Sequence, residues 1–103
     1  MKVSAKRLEK YFDITGRALK KVKLLKGQLT IDTHKSATEF LDMAQRYYDD
    51  AHYFRRKGDD LTAFAALNYS HGWLDAGARL GLFDVDGDNV LFTVDAKEIK
   101  KKK

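Results

Sequence analysis

The chain has 103 residues and contains neither cysteine nor proline. Without cysteine there are no disulfides and no thiolate chemistry, and an intracellular setting is permitted. Without proline nothing forces a helix to break, which tells against a loop-rich fold. Long apolar runs are missing as well. No segment approaches the roughly 18 to 20 uninterrupted apolar residues that span a bilayer, and the first residues lack the apolar stretch of a signal peptide. A cytoplasmic location without stable membrane insertion is therefore expected. The spacings that carry catalysis or metal binding are also scarce. There is no HExxH or Cys-His pattern, His34 and His52 are isolated from each other, and no serine nucleophile stands at a diagnostic distance from a histidine. No metal, no cofactor and no catalytic residue are expected.

What is present is a strong helical pattern with unevenly placed charge. Lys and Arg outnumber Asp and Glu by 20 to 15, and residues 1 to 26 alone hold nine basic and two acidic side chains. The basicity therefore belongs to the first predicted helix. Ser4 is a good N-cap for it, Gly27 offers a left-handed C-terminal stop, and Leu8, Tyr11, Phe12, Ala18, Leu19, Val22 and Leu25 repeat along one face. Gly16 is a mild weak point within it. The linker GQLTIDTHK follows, from Gly27 to Lys35. Ser36 and Glu39 then have capping-box spacing, although Thr33 could start the second helix a turn earlier. Phe40, Leu41, Ala44, Tyr47, Tyr48, Ala51 and Phe54 make its stripe. Lys57-Gly58-Asp59-Asp60 is the sharpest turn, and so short a connection forces an antiparallel hairpin onto a third helix that ends at Gly81. Tyr48 then falls near the level of Asn68 and Arg46 near that of His71.

The spacing predicts helices near residues 4 to 26, 34 to 57 and 60 to 80. After Gly81 the run LFDVDGDNVLFTVD reads as two short strands around Asp86-Gly87, a hairpin turn signal. The fold class is thus all-α: an antiparallel three-helix bundle with a short C-terminal β-hairpin-like extension. Residues 1 to 96 form its single domain, and residues 97 to 103 form a lysine-rich tail. Asp84, Asp86, Asp88 and Asp95 also resemble parts of a calcium loop. Asn89 at the position that needs glycine argues against it.

The third helix carries Asn68, His71 and Asp75 on one face. His71 and Asp75 at i, i+4 can orient an imidazole, but a histidine among Phe64, Leu67 and Leu74 more simply satisfies a neighbour. Ala63, Ala66 and Gly77 repeat at helical spacing and are expected to face a closely packed neighbour, within the bundle or across a dimer. Two candidate faces emerge: Leu61, Phe64, Asn68, His71, Asp75 and Ala78 on one side, and Leu67, Ser70, Trp73, Leu74 and Gly77 on the other. One faces the bundle; the other is partly open.

The blocks LDMAQRYYDDAHYFRRKGDD, from Leu41 to Asp60, and TAFAALNYSHGWLDAGARLGLFD, from Thr62 to Asp84, resemble the short archaeal proteins grouped as domain of unknown function 357. The resemblance implies an antiparallel three-helix bundle and no activity. The order Ala44, Tyr48, Ala51, Gly58-Asp59, Ala63, Tyr69 also looks like the helical hairpin of tetratricopeptide repeats, which receive peptides.

The leading functional reading is a non-catalytic protein-interaction module, with Asn68, His71, Trp73, Asp75 and Arg79 as candidate contacts and either a protein partner or self-association. The alternative is a weakly sequence-selective nucleic-acid binder using Lys6, Lys10, Arg17, Lys20, Lys21 and Lys23 on the first helix.

Overall fold

Ser4 does start the first helix. In the computed structural model, which describes residues 2–24, 31–85 and 87–92, its hydroxyl accepts the Arg7 backbone N–H at 3.1 Å. Helix α1 spans Ala5–Lys21 and buries Leu8, Phe12, Thr15 and Ala18. It stops about a turn before the expected end. Val22 is extended, and Lys23–Leu24 forms strand β1, which pairs antiparallel with strand β2, Phe83–Asp84. Backbone pairing with a distant segment therefore overrides the local helical pattern, a tertiary effect that periodicity does not report. Gly27 lies outside the described residues.

Helix α2 spans Ile31–Arg56 and begins earlier than the capping box at Ser36 suggested. Ser36 and Glu39 consequently sit inside the helix, where Thr38 already donates its hydroxyl to the His34 carbonyl at 3.0 Å. The other end follows the sequence closely. Gly58 takes φ +82°, its N–H donates to Arg55 and that of Asp59 to Phe54, which together satisfy carbonyls the helix end leaves open. Asp59 then caps helix α3, Asp60–Arg79, by accepting the Thr62 N–H at 3.1 Å. One three-residue connection thus closes one helix and opens the next.

Helices α2 and α3 share the most extensive contact in the chain. The buried side of the hairpin is rich in small residues: Ala37, Ala44 and Ala51 on α2, and Ala63, Ala66 and Ser70 on α3, with Leu67 and Leu74 among them. Ser70 donates its hydroxyl to the Ala44 carbonyl at 2.6 Å, so the seam contains one buried polar cross-link. The pairs that the sequence sets at facing levels, Tyr48 with Asn68 and Arg46 with His71, are not the ones bonded: Arg46 turns away to Asp42, His71 meets Thr15 and Leu91, and Asn68 stays exposed. Helix α1 lies along one side of the hairpin, where Leu8 and Phe12 pack with Ala51, Ala63, Ala66 and Leu67. The opposite end of the core is completed by the segment after α3: Leu82, Phe83, Val85, Leu91 and Phe92 join Ala18, Ala37, Ala44 and Leu74.

That segment forms no hairpin among the described residues. Its first run pairs with β1, and the residues expected as the return strand begin with a turn in which the Phe92 N–H reaches the Asp88 carbonyl. Asp88 supplies the reason, because its side chain accepts the N–H groups of both Val90 and Leu91 at 3.0 Å and winds the backbone locally. Residues 93–103, including the lysine-rich tail, lie outside the described residues.

Gly77 shows how closely the segment is fitted, since a Cβ there would collide with the Phe83 ring. The close neighbour expected for Gly77 is therefore within the chain. Gly77→Ala should destabilise the fold by about 1 to 3 kcal/mol despite the better helix propensity of alanine. Urea melts of the purified variant check this, and an unchanged midpoint would mean that Phe83 is free to leave.

Candidate functional site

The polar set of α3 is assembled as a joint between three parts of the chain. His71 Nε2 lies 2.6 Å from the Leu91 carbonyl, and Nδ1 lies 3.2 Å from the hydroxyl of Thr15, which is almost fully buried on α1. A carbonyl can only accept, so Nε2 carries a proton and donates it. Thr15 can then donate to Nδ1. Asp75 Oδ1 stands 3.9 Å from Nε2, one helical turn away. The imidazole thus spends both nitrogens on tying α3 to α1 and to the C-terminal turn. Among the described residues no buried side-chain polar atom lacks a partner, and no three His, Asp or Glu groups converge on a possible metal position.

The five candidate contacts do not form one patch. His71 and Asp75 face α1 and the C-terminal turn, whereas Asn68 and Arg79 ride the exposed crest of α3. Trp73 sits on the other flank, partly buried and edge-on to Phe40 at 5.0 Å. Of the two faces read from the sequence, Leu67, Ser70, Leu74 and Gly77 point into the bundle, and the one with Phe64 and His71 is half-covered by α1.

A third face of α3 was not singled out by the sequence reading. It carries Ala65, Tyr69, Gly72, Ala76 and Leu80, all exposed, with Tyr69 at 57% and Leu80 at 67%. Thr62 and Trp73 border it on one flank, and the exposed Arg79, seven residues after Gly72, borders it on the other. Across the seam Tyr47 of α2 meets the Tyr69 ring edge-on at 4.5 Å. The surface lies on the side of the hairpin that α1 does not cover. The sequence signal that could have found it is the 3-4-3-4 spacing of Thr62, Ala65, Tyr69, Gly72 and Ala76, uncharged throughout.

On the far side, α1 presents Lys6, Lys10, Arg17 and Lys20 on one exposed face, with Asp13 among them and 3.6 Å from Arg17. Lys21 is half-buried, and the Lys23 side chain lies outside the described residues. Where α1 meets α2, Phe12, Gly16, Arg17, Lys20, Gln45 and Tyr48 line an open groove of about 290 Å³. Gly16 earns its place there: a Cβ would come within 2.6 Å of the Tyr48 hydroxyl. Burial, with the nearby Asp13 and Asp49 carboxylates, raises the Tyr48 pKa and keeps the phenol neutral.

Three helices, a half-buried histidine joint and an exposed face of small residues on α3 define a small helical-bundle protein without an assembled catalytic constellation among the described residues. The chain belongs to the family described as Protein of unknown function (DUF357), whose model matches residues 10–83. No curated protein and no solved structure matches it.

Removing the joint should loosen the fold. His71→Ala leaves the Thr15 hydroxyl buried without its partner and frees the Leu91 carbonyl, which should cost about 1 to 3 kcal/mol. Denaturant melts read the loss, and a change below a few tenths of a kcal/mol would assign the joint no structural weight. The turn beside it should respond to acid. The Leu91 N–H, then that of Val90 and the nearby Lys21 and Arg17 charges, hold the Asp88 carboxyl below its ordinary value, with slight burial opposing them. Its contribution is therefore complete above about pH 4 and is lost as pH falls through the lowered folded value. The Val90 and Leu91 amide resonances should titrate together in that acid range; a midpoint at or above the ordinary carboxylate value would contradict the cap.

Proposed function

We propose that the protein is a non-catalytic protein-interaction module that receives a helical partner on the exposed small-residue face of α3. The observation that carries this reading is Gly72. It lies on the exposed side of α3 with nothing among the described residues within 4 Å of where a Cβ would be, so no described contact calls for a glycine. Glycine in such a place costs about 1 kcal/mol relative to alanine. Close approach of another backbone is what a helical glycine permits, and Ala65 and Ala76 flank it with equally little bulk. Tyr69, Leu80 and the edge of Trp73 supply the large apolar and aromatic anchors that such interfaces use. No described helix is long and apolar enough to cross a membrane, which fits a cytoplasmic setting for such a module.

The basic face of α1 supports a second reading, nucleic-acid binding. Lys6, Lys10, Arg17 and Lys20 span about 21 Å of helix, enough to neutralise several phosphates without reading bases. Binding of this kind falls steeply with salt, whereas docking on the small-residue face of α3 depends on it far less.

A photo-crosslinking side chain in place of Tyr69, used in extract of the source organism with nuclease present, separates the readings. Protein adducts from position 69 that disappear with Gly72→Glu, and none from position 10, are expected. Adducts only from position 10, sensitive to nuclease, would replace the module with the nucleic-acid binder. Gly72→Ala should stabilise the isolated chain by about 0.5 to 1 kcal/mol in dilute solution, because it meets nothing there.

A further inference from the structure

We propose that the open groove between α1 and α2 binds a small phosphate monoester with a hydroxylated body, the class of a sugar phosphate or nucleoside monophosphate. Arg17 and Lys20 hold the phosphate, and Tyr48 bonds a hydroxyl of the body. The site goes beyond the module reading and does not depend on it, since it lies between α1 and α2 and not on the exposed face of α3. The first observation is what Gly16 makes room for. A Cβ there would stand 2.6 Å from the Tyr48 hydroxyl oxygen, 3.3 Å from Cζ and 3.7 Å from Cε1. The ring carbons could be met by a small shift, whereas the oxygen could not. The oxygen, more than the ring, is what calls for a glycine. Yet that oxygen has no hydrogen-bond partner among the described residues. Gly16→Ala together with Tyr48→Phe would pack the same junction with a better helix former on α1. The native pair gives this up and keeps a hydroxyl lining the groove. Burial, with the Asp13 and Asp49 carboxylates, raises its pKa, so at neutral pH it is a phenol that can donate as well as accept.

Charge and size identify the rest of the ligand. Arg17 and Lys20 both line the groove and stand three residues apart on α1, so they are neighbours on its surface. A guanidinium fork beside an ammonium matches the several oxygens of a phosphate. Asp13 stands 3.6 Å from Arg17 at the same rim, where it orients the guanidinium and offers an acceptor to a ligand hydroxyl. Gln45 commits its Nε2 to Asp49 at 3.0 Å and keeps its amide oxygen as a further acceptor. Acceptors of this kind serve a hydroxylated body, which inorganic phosphate lacks. The volume of about 290 Å³ lies at the low end of the roughly 300 to 1,000 Å³ of small-molecule sites, which suits one ring bearing a phosphate. A second groove beside α1, of about 370 Å³, shares Arg17 and Lys20 but has Asp88 and Leu91 in place of Tyr48 and Gln45. The unpartnered hydroxyl therefore directs the ester to the α2 side.

The test follows amide resonances of the full isotope-labelled chain during titration with ribose 5-phosphate, adenosine monophosphate, inorganic phosphate and a short single-stranded RNA, at about 0.15 M salt. Saturable shifts centred on Gly16, Gln45 and Tyr48 are expected, half-complete below about 1 mM for at least one ester and at least about tenfold weaker for inorganic phosphate. The tighter ester tells whether a sugar phosphate or a nucleotide is the better fit. Tyr48→Phe removes only the oxygen, so it should weaken the ester about tenfold at an unchanged urea midpoint. Lys20→Gln should weaken ester and inorganic phosphate alike. The double variant Gly16→Ala with Tyr48→Phe avoids the clash at the oxygen and should stay folded without binding. No saturable shift at about 10 mM ester overturns the site, as does equal affinity for inorganic phosphate or binding indifferent to Tyr48→Phe. RNA shifts spread along Lys6 and Lys10 that neither ester displaces, with no ester binding, would assign the basic face to polyanions alone. None of these outcomes alters adducts from position 69, so the module reading is tested separately.

Discussion

Everything in this fold depends on how closely α2 and α3 approach each other. Ala37, Ala44 and Ala51 recur at seven-residue intervals along α2, and all are fully buried; Ala63, Ala66 and Ser70 are buried on the neighbouring helix. Seven residues are nearly two turns, so one side of α2 is small along most of its length. A seam of this kind gains little from area per residue. It gains from dense backbone-level packing and from the Ser70–Ala44 hydrogen bond at its centre. Leu67 and Leu74 are the large side chains buried on that side of α3, and the aromatic rings lie to either side of it. Phe12 and Tyr48 mark the side that α1 fills, with their rings 6.0 Å apart. Tyr47, Tyr69, Phe40 and Trp73 mark the side that no other described element covers.

The same seam explains why the segment after α3 belongs to the core. With alanines at 18, 37 and 44, the three helices at that end do not supply enough bulk to fill the space between them, and Leu82, Phe83, Val85, Leu91 and Phe92 provide it. Gly77 lets the Phe83 ring lie against the helix itself, and Gly81 at φ +77° turns the chain back so that Leu82 N–H reaches the Gly77 carbonyl. His71 then locks the returning chain by donating to Leu91 while meeting Thr15 of α1. Of the polar set read on one helical face, His71 fastens the returning chain, while Asn68 stays exposed.

How much of this could be read in advance follows from where each signal resides. Caps and turns are local, so Ser4, Gly58 and Asp59 announced themselves, and the antiparallel hairpin followed from the shortness of its turn. Stripe periodicity also located all three helices. Boundaries set by distant partners were not legible: α1 yields its last turn to β1 because Lys23 and Leu24 pair with Asp84 and Phe83, sixty residues away in the chain. The expected β-hairpin failed for a related reason, since Asp88 can serve a strand turn or cap its own local turn, and only packing of Leu91 and Phe92 decides. The close neighbour of Gly77 was foreseen, but not that it would be Phe83. The bare face escaped notice because its members are mostly small, and a hydrophobic-stripe search weights bulk over absence of charge.

Charge and apolarity are segregated across the molecule, and that arrangement bears on what it can do at once. The basic face of α1 and the small-residue face of α3 lie on different helices, so contact on one leaves the other open. A partner held on α3 would leave Lys6, Lys10, Arg17 and Lys20 free to meet an anionic surface, and the interaction-module and nucleic-acid readings are therefore physically compatible.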